Sequence, residues 1–312
     1  MIPRLGAEAR ALKLEANTFH TFFRHGDRAT LSQKCFAGFA GFERIWNECP
    51  DPIYNFHSGL NYRKGDDTKD FQQPFRIPVQ THFNKGVLKG NCHVGQLTNK
   101  GLLASYNNGN RVGKFLTQYY GKPITPKMLQ VRSTDVHRTR QTLEGFFTGI
   151  SDHLTFDKIP PFNPFTPYKD APALTFVESQ VDALQLNDNV CDVKAYTEEA
   201  YKDPAFVEFF EKTYAVLEKE LQTILNSTMD LYSIFDCMKT SYCHGIPVPK
   251  GLEEYSAKIE AALLTYWGQA YNYKPAISNI LYSGAFMAEL LPIIKAAMGE
   301  TKLEKEIYIW SG

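Results

Sequence analysis

One pattern constrains this chain more than any other: a short β-prone run stops in a basic loop ahead of a helix, and it does so twice. The first run, Phe19 to Phe23, is apolar and aromatic and ends abruptly in Arg24-His25-Gly26-Asp27-Arg28. The second, Met128 to Val131, leads into Arg132-Ser133-Thr134-Asp135, which opens a helix carrying Val136, Leu143, Phe146 and Phe147. Strand, loop and helix in that order are the repeating unit of an α/β body, whose helices cover the faces of a sheet. Open α/β sheets bind ligands beyond the carboxyl ends of their strands, so both basic loops stand where a ligand would be held.

The remaining elements fit around that frame. Thr98 caps a predicted helix over Asn99 to Tyr119, with Leu102, Tyr106, Gly109, Val112, Leu116 and Tyr119 on one face. Gly109 and Gly113, one turn apart, cost about 1 kcal/mol each against Ala, which close packing on a neighbouring helix would offset. Leu31 to Gly90 has no sustained period and reads as loops and short strands, with one helix around Phe36 to Trp46. Prolines crowd at Pro160, Pro161, Pro164 and Pro167, and beyond them the pattern turns helical. Asp203-Pro204 is a helix start; apolar steps of three and four follow from Phe206 to Ile224, and again from Gly251 to Trp267 and from Tyr282 to Met298. A last apolar run, Ile307 to Trp310, is a buried strand. The expected fold is α/β, with a central mixed sheet flanked by helices: a body of residues 1–158 and 275–312, and an inserted, mainly α-helical subdomain of residues 159–274.

Composition sets limits on partners. The 312 residues carry 34 Lys and Arg against 34 Asp and Glu, so no global field draws the chain to nucleic acid, and any anion site must be a local cluster. The first twenty residues contain no apolar core of a secretory signal. The six cysteines are too few for a disulfide scaffold, though their even number suits an oxidising compartment. Cys237, Cys243 and His244 read as a disulfide or buried thiols, or as half of a zinc site; no second Cys/His pair with ligand spacing follows. Asn226-Ser227-Thr228 is an N-glycosylation sequon, relevant only on the secretory route.

The chemistry resides in Arg24-His25-Gly26-Asp27-Arg28. Two guanidiniums around one imidazole suit a phosphate dianion, because arginine forks give bidentate, charge-assisted hydrogen bonds to its oxygens. The imidazole can attack phosphorus and become a phosphohistidine, chemistry that calls for no metal or cofactor. Gly26 allows a tight turn and leaves its carbonyl free to hold the other ring nitrogen in one tautomer. Asp135 reads as a cap or dipole partner of its helix, and Asp27 as a surface or structural carboxylate.

Phe22-Phe23-Arg24-His25-Gly26-Asp27-Arg28 resembles the signature of the histidine acid phosphatases, branch 2 of the histidine phosphatase superfamily. The resemblance continues through Gly95-Gln96-Leu97-Thr98 with Gly101, through Arg132-Ser133-Thr134-Asp135 with Arg138-Thr139, and into Glu306 to Gly312. It implies hydrolysis of phosphomonoesters with His25 as nucleophile and Arg24, Arg28 and Arg132 binding the phosphate. It further implies a secretory, lysosomal, Golgi or extracellular setting, and it is compatible with a homodimer. Cys92 ahead of Gly95, Asn108-Gly109, and Cys237 with Cys243-His244 are more similar to the 2-phosphoxylose phosphatase branch, which points to a phosphorylated sugar as substrate.

Two departures stand out. Ala29-Thr30 replace the pattern that ends in proline. The family follows its last strand with a His-Asp pair, in which the Asp protonates the leaving oxygen, and Gly312 falls just before that pair. Residues 1–312 are therefore expected to be a fragment with impaired hydrolysis, in which Cys191 lacks its family partner. The alternative is a non-catalytic module that binds phosphate or a phosphosugar with the arginine cradle alone.

Overall fold

The computed structural model describes residues 17–37, 39, 44–50, 86–155, 173–177, 182, 184 and 193–312. Alternation with a period of two organises its sheet, which comprises β1 (Phe19–Phe23), β2 (Leu129–Thr134), β3 (Ala173–Val177) and β4 (Ile307–Ser311) in the spatial order β1-β4-β2-β3. All three pairings are parallel, with Phe19 opposite Ile307, Leu129 opposite Ile307 and Gln130 opposite Ala173. The fold is α/β as expected. The antiparallel part of the expected mixed sheet is not found among the described strands, because helices or long segments separate every consecutive pair and return the chain in the same direction.

The two faces of the sheet differ. Leu129, Val131, Ile307 and Ile309 form one core with Leu116, Leu143, Phe146 and Ile150, and Phe19 and Phe23 pack against it. That core is covered by α1 (Asn99–Tyr120) and α2 (His137–Ser151). Thr98 caps α1 through its side chain, which accepts from Gly101 N. The close approach expected at Gly109 and Gly113 is present: a Cβ on Gly109 would overlap the Phe146 backbone, and one on Gly113 would lie 2.7 Å from the His153 ring. Gly149 of α2 likewise lies against the Tyr106 backbone, so the two helices meet backbone to backbone. On the opposite face His20, Phe22, Tyr308 and Trp310 stack on one another.

β2 differs from the expected strand, running on through Thr134 where a loop was read, so its helix starts later, at His137. Asp135 does not cap that helix; it forms an ion pair with Arg140 of the first turn.

The helical region comprises α3 (Val193–Ala200), α4 (Pro204–Phe209), α5 (Ala215–Leu225), α6 (Leu231–Cys243) and α7 (Ser256–Asn272). Asp203 caps α4 as read from the sequence, accepting from Ala205 N and Phe206 N ahead of Pro204 at the first turn. A π-turn over Phe210–Tyr214 joins α4 to α5. Leu221, Leu225, Leu231, Ile234, Met238 and Leu252 bury a second core, to which the loop residue Phe36 also contributes. α8 (Pro275–Ala297) then leads back to β4, starting seven residues before the expected Tyr282. Among the described residues no single helix is long and apolar enough to cross a membrane.

Two disulfides, Cys35–Cys237 and Cys49–Cys92, tie the loops after β1 to α6 and to one another. Cys237 is therefore no thiolate ligand, and Cys243 is a free exposed thiol. Phe36 lies in the left-handed region, and Trp46 makes a bridge with Gly90 rather than ending a helix; residues 38 and 40–43 of that expected helix lie outside the described residues. So do Cys191, the proline-rich segment and the expected boundary near residue 159.

Candidate active site

The β1–β4 ladder continues one step past both strands: Gly312 N donates to Phe23 O at 3.1 Å and His25 N to Gly312 O at 3.0 Å. The ladder thereby fixes His25 over the carboxyl edge of the sheet, where open α/β folds bind ligands. Arg24, His25, Arg138, Thr139, Phe22, Trp310 and Gly312 line a cavity of about 510 Å³ there.

His25 is oriented by its neighbour. Its Nδ1 lies 2.9 Å from the Gly26 carbonyl, which can only accept, so Nδ1 carries the proton and Nε2 presents a lone pair. Burial, then the charges of Arg138, Arg24 and Arg28, push the imidazole down to about 4 against the opposing pull of the Gly26 carbonyl. The ring is thus neutral even in mildly acidic solution, with the Nε2 lone pair free of the proton. Gly26 is required for space: a Cβ would lie 2.9 Å from the Gly101 carbonyl at the start of α1. Its amide donates to Thr142 Oγ1 at 2.9 Å, and that hydroxyl donates to Arg138 O at 2.7 Å, which couples the loop to α2.

The rest of the signature loop lies along Gly95-Gln96-Leu97-Thr98. Arg28 bridges to Leu97, Ala29 N donates to Gln96 O and Gly95 N donates to Thr30 O. Arg28 reaches α6, its Nη2 lying 2.7 Å from Asp236 Oδ1; Asp236 is buried and the Arg28 side chain is 10% exposed. Asp236 Oδ2 also accepts from Leu31 N at 2.7 Å and Thr30 Oγ1 at 3.1 Å. Asp27, read from the sequence as a surface or structural carboxylate, takes the structural role, bound by the Thr98 hydroxyl and paired with His244.

Arg132 is not part of this cluster. The extended β2 places it within the sheet, opposite Trp310 of β4 and Thr175 of β3, on the face away from Leu129 and Val131. Asp182 holds its Nη2 at 2.6 Å, and Glu289 of α8 accepts from its Nε at 2.9 Å and Nη2 at 3.2 Å. The guanidinium that lines the cavity beside Arg24 is that of Arg138, in the first turn of α2. Burial and the Arg28 and Arg24 charges push it down to about 10. The structure therefore brings together His25, Arg24 and Arg138, with Arg28 close enough to act on His25, and turns Arg132 away. Alternation could have signalled this, since Leu129 and Val131 against Gln130 and Arg132 is the pattern of a strand continuing through Arg132.

The model of branch 2 of the histidine phosphatase superfamily matches residues 17–244. The chain belongs to that family. Among curated proteins, this histidine phosphatase is similar to Counting factor 60 of Dictyostelium discoideum, with 25% identity over 325 residues, covering 99% of this chain and 71% of the relative. Among solved structures it resembles the phytase of Citrobacter braakii, with a TM-score of 0.50 and 12% identity over 96% of this chain and 72% of the phytase. The Hafnia alvei phytase in complex with tartrate gives a TM-score of 0.49 and 13% identity over the same shares, 96% and 72%. At 12% identity the Citrobacter braakii phytase speaks to the fold alone. Membership in the family supports phosphatase-type hydrolysis, and the two disulfides suit an oxidising compartment.

Proposed function

We propose that this chain hydrolyses phosphomonoesters through a phosphohistidine on His25. The observation that carries the reading is an imidazole held neutral, with Nδ1 on the Gly26 carbonyl, under the field of Arg24, Arg28 and Arg138. The guanidiniums of Arg24 and Arg138 would hold the phosphate oxygens and Arg28 would add positive charge from its post on Asp236. The Nε2 lone pair forms the N–P bond as the P–O bond to the leaving group breaks. Water then attacks phosphorus, releasing phosphate and restoring the neutral ring.

None of the described cavity-lining side chains is a carboxyl that could protonate the leaving oxygen. General acid catalysis contributes about 10² to 10⁴-fold, so aryl phosphates, whose leaving groups need little protonation, would be turned over far better than alkyl phosphates. Phe22 and Trp310, stacked on the cavity wall with centroids 5.7 Å apart, offer a face to a ring-bearing ester such as an aryl or sugar phosphate. The disulfides and the exposed Asn226 sequon are consistent with residence in the secretory route or outside the cell.

The test is turnover of an aryl phosphate by residues 1–312 and by His25→Ala, with vanadate binding measured on both. Turnover that vanishes in His25→Ala supports the reading. Vanadate binding without turnover in the wild type would replace it with a phosphate-binding module; turnover that survives His25→Ala would refute it.

A further inference from the structure

The Cys243-His244 step at the end of α6 was singled out by its sequence and has no part in the proposed reaction. His244 lies between two carboxylates from different segments. Its Nε2 is 2.7 Å from Asp27 Oδ2 in the signature loop, and its Nδ1 meets Glu48 Oε2 in the loop closed by Cys49–Cys92. The imidazole side chain is 0% exposed, whereas Glu48 is 44% exposed, so the ring is enclosed while one of its partners reaches solvent. Trp46 meets the ring edge-on at 5.2 Å, and Arg44 stacks over Trp46 at 3.5 Å. Lys100 places its Nζ on the Cys243 carbonyl, and the Cys243 thiol is next in sequence.

We infer that His244 is a positioning residue, holding the His25-bearing loop in place through Asp27 while its imidazole carries both protons. A doubly protonated ring donates its Nδ1–H to Glu48 and holds its positive charge at ion-pair distance from Asp27. A neutral ring has no charge to hold Asp27, whose side chain is 20% exposed, and offers one N–H to two carboxylates. Asp27 follows Gly26, whose carbonyl orients His25, and precedes Arg28; a loosened Asp27 therefore loosens the groups on either side of it. Arg44, pushed down by burial only to about 10, keeps its charge across neutral pH, and the imidazole is the group that changes state.

The pH direction follows from the pair. Asp27 first, and Glu48 with it, raise His244 above its ordinary value against the cost of burial. The tie is thus complete below the ordinary histidine range and is lost as pH rises through the raised value. This would favour the cradle in acid, where His25 remains neutral down to about 4.

The inference rests on the reading of this loop as a phosphate site, so its test has one arm that does not depend on phosphate. Amide hydrogen exchange of the 24–31 segment, corrected for the intrinsic pH dependence, is followed from pH 5 to 8 in the whole chain and in His244→Gln and Glu48→Gln. Binding of inorganic phosphate is measured on the same proteins. Wild type is expected to lose about tenfold in protection and in phosphate affinity across the transition, within the usual range of coupling between sites. His244→Gln should show no such transition. Glu48→Gln, at a half-exposed position that leaves the fold intact, should move the transition to lower pH because the imidazolium loses a partner. A flat wild-type profile, or a transition that is the same in both variants, overturns the inference. A His244-dependent exchange transition in a protein that binds no phosphate at any pH supports the positioning role and refutes the phosphate site.

Discussion

Replacing Arg132 and Arg138 in turn by Leu separates the two arginines by the sign of their effects. In Arg132→Leu the Asp182 carboxylate, whose side chain is 0% exposed, keeps among the described residues the Thr134 hydroxyl and the Leu184 amide. Removing one partner of a buried ion pair costs about 3–5 kcal/mol, and Glu289, 41% exposed, adds little because water replaces the lost guanidinium. The urea midpoint should fall accordingly, with vanadate binding retained in the folded fraction. Arg138→Leu should do the opposite, because Arg28 and Arg24 repel that guanidinium and burial disfavours its charge, so stability should hold or rise. Phosphate would lose two charge-assisted hydrogen bonds worth about 1.5–3 kcal/mol each. Allowing for non-additivity, roughly 3–4 kcal/mol of transition-state binding disappears, a loss of about 10² to 10³-fold in kcat/KM for an aryl phosphate. Urea unfolding, vanadate titration and initial rates read the three quantities. An Arg132→Leu protein of normal stability that no longer binds vanadate, beside an Arg138→Leu protein that still does, would return the third phosphate ligand to Arg132.

Three further outcomes are expected. Asp236→Ala, which strands the Arg28 charge, the Leu31 amide and the Thr30 hydroxyl, should cost about 3–5 kcal/mol in urea unfolding. Asp236→Asn, which keeps an acceptor, should cost less. Because His25 is held down to about 4 while an unfolded histidine titrates near 6.5, the unfolded chain takes up the proton first as pH falls. His25→Gln should accordingly gain stability on wild type between about pH 6.5 and 4 and match it at pH 8 in pH-dependent thermal melts. Gly149→Ala would drive a methyl into the Tyr106 carbonyl and the Asn110 amide, and should destabilise by about 1–3 kcal/mol in the same melts.

Much of the site was legible because it is local in sequence. His25, Arg24 and the Gly26 carbonyl lie within three residues, so the tautomer argument needed only a strand that ends before Arg24. The Gly109 and Gly113 spacing announced a close helix contact, since two glycines on one face cost stability that packing must offset. Asp236 and His244 were not legible in their roles. They reach Arg28 and Asp27 across about 200 residues of chain, through a helix whose placement beside the loop depends on the Cys35–Cys237 crosslink and the second core. No periodicity within α6 tells which of its polar residues meets an arginine.

The sequence alone determined the α/β class, the family motifs and the position of the proposed nucleophile, because each depends on residues adjacent along the chain. The tertiary structure decided which arginine joins His25. Hydrogen bonding to β4 and β3 carries β2 through Thr134, and the alternation of side chains then turns Arg132 onto the face where Asp182 and Glu289 hold it. The same extension delays the helix start to His137, which brings Arg138 to the carboxyl edge of the sheet. A strand's length is set by its neighbours' hydrogen bonds rather than by its own residues, and three more residues of pairing placed one arginine in the sheet and the other in the cavity.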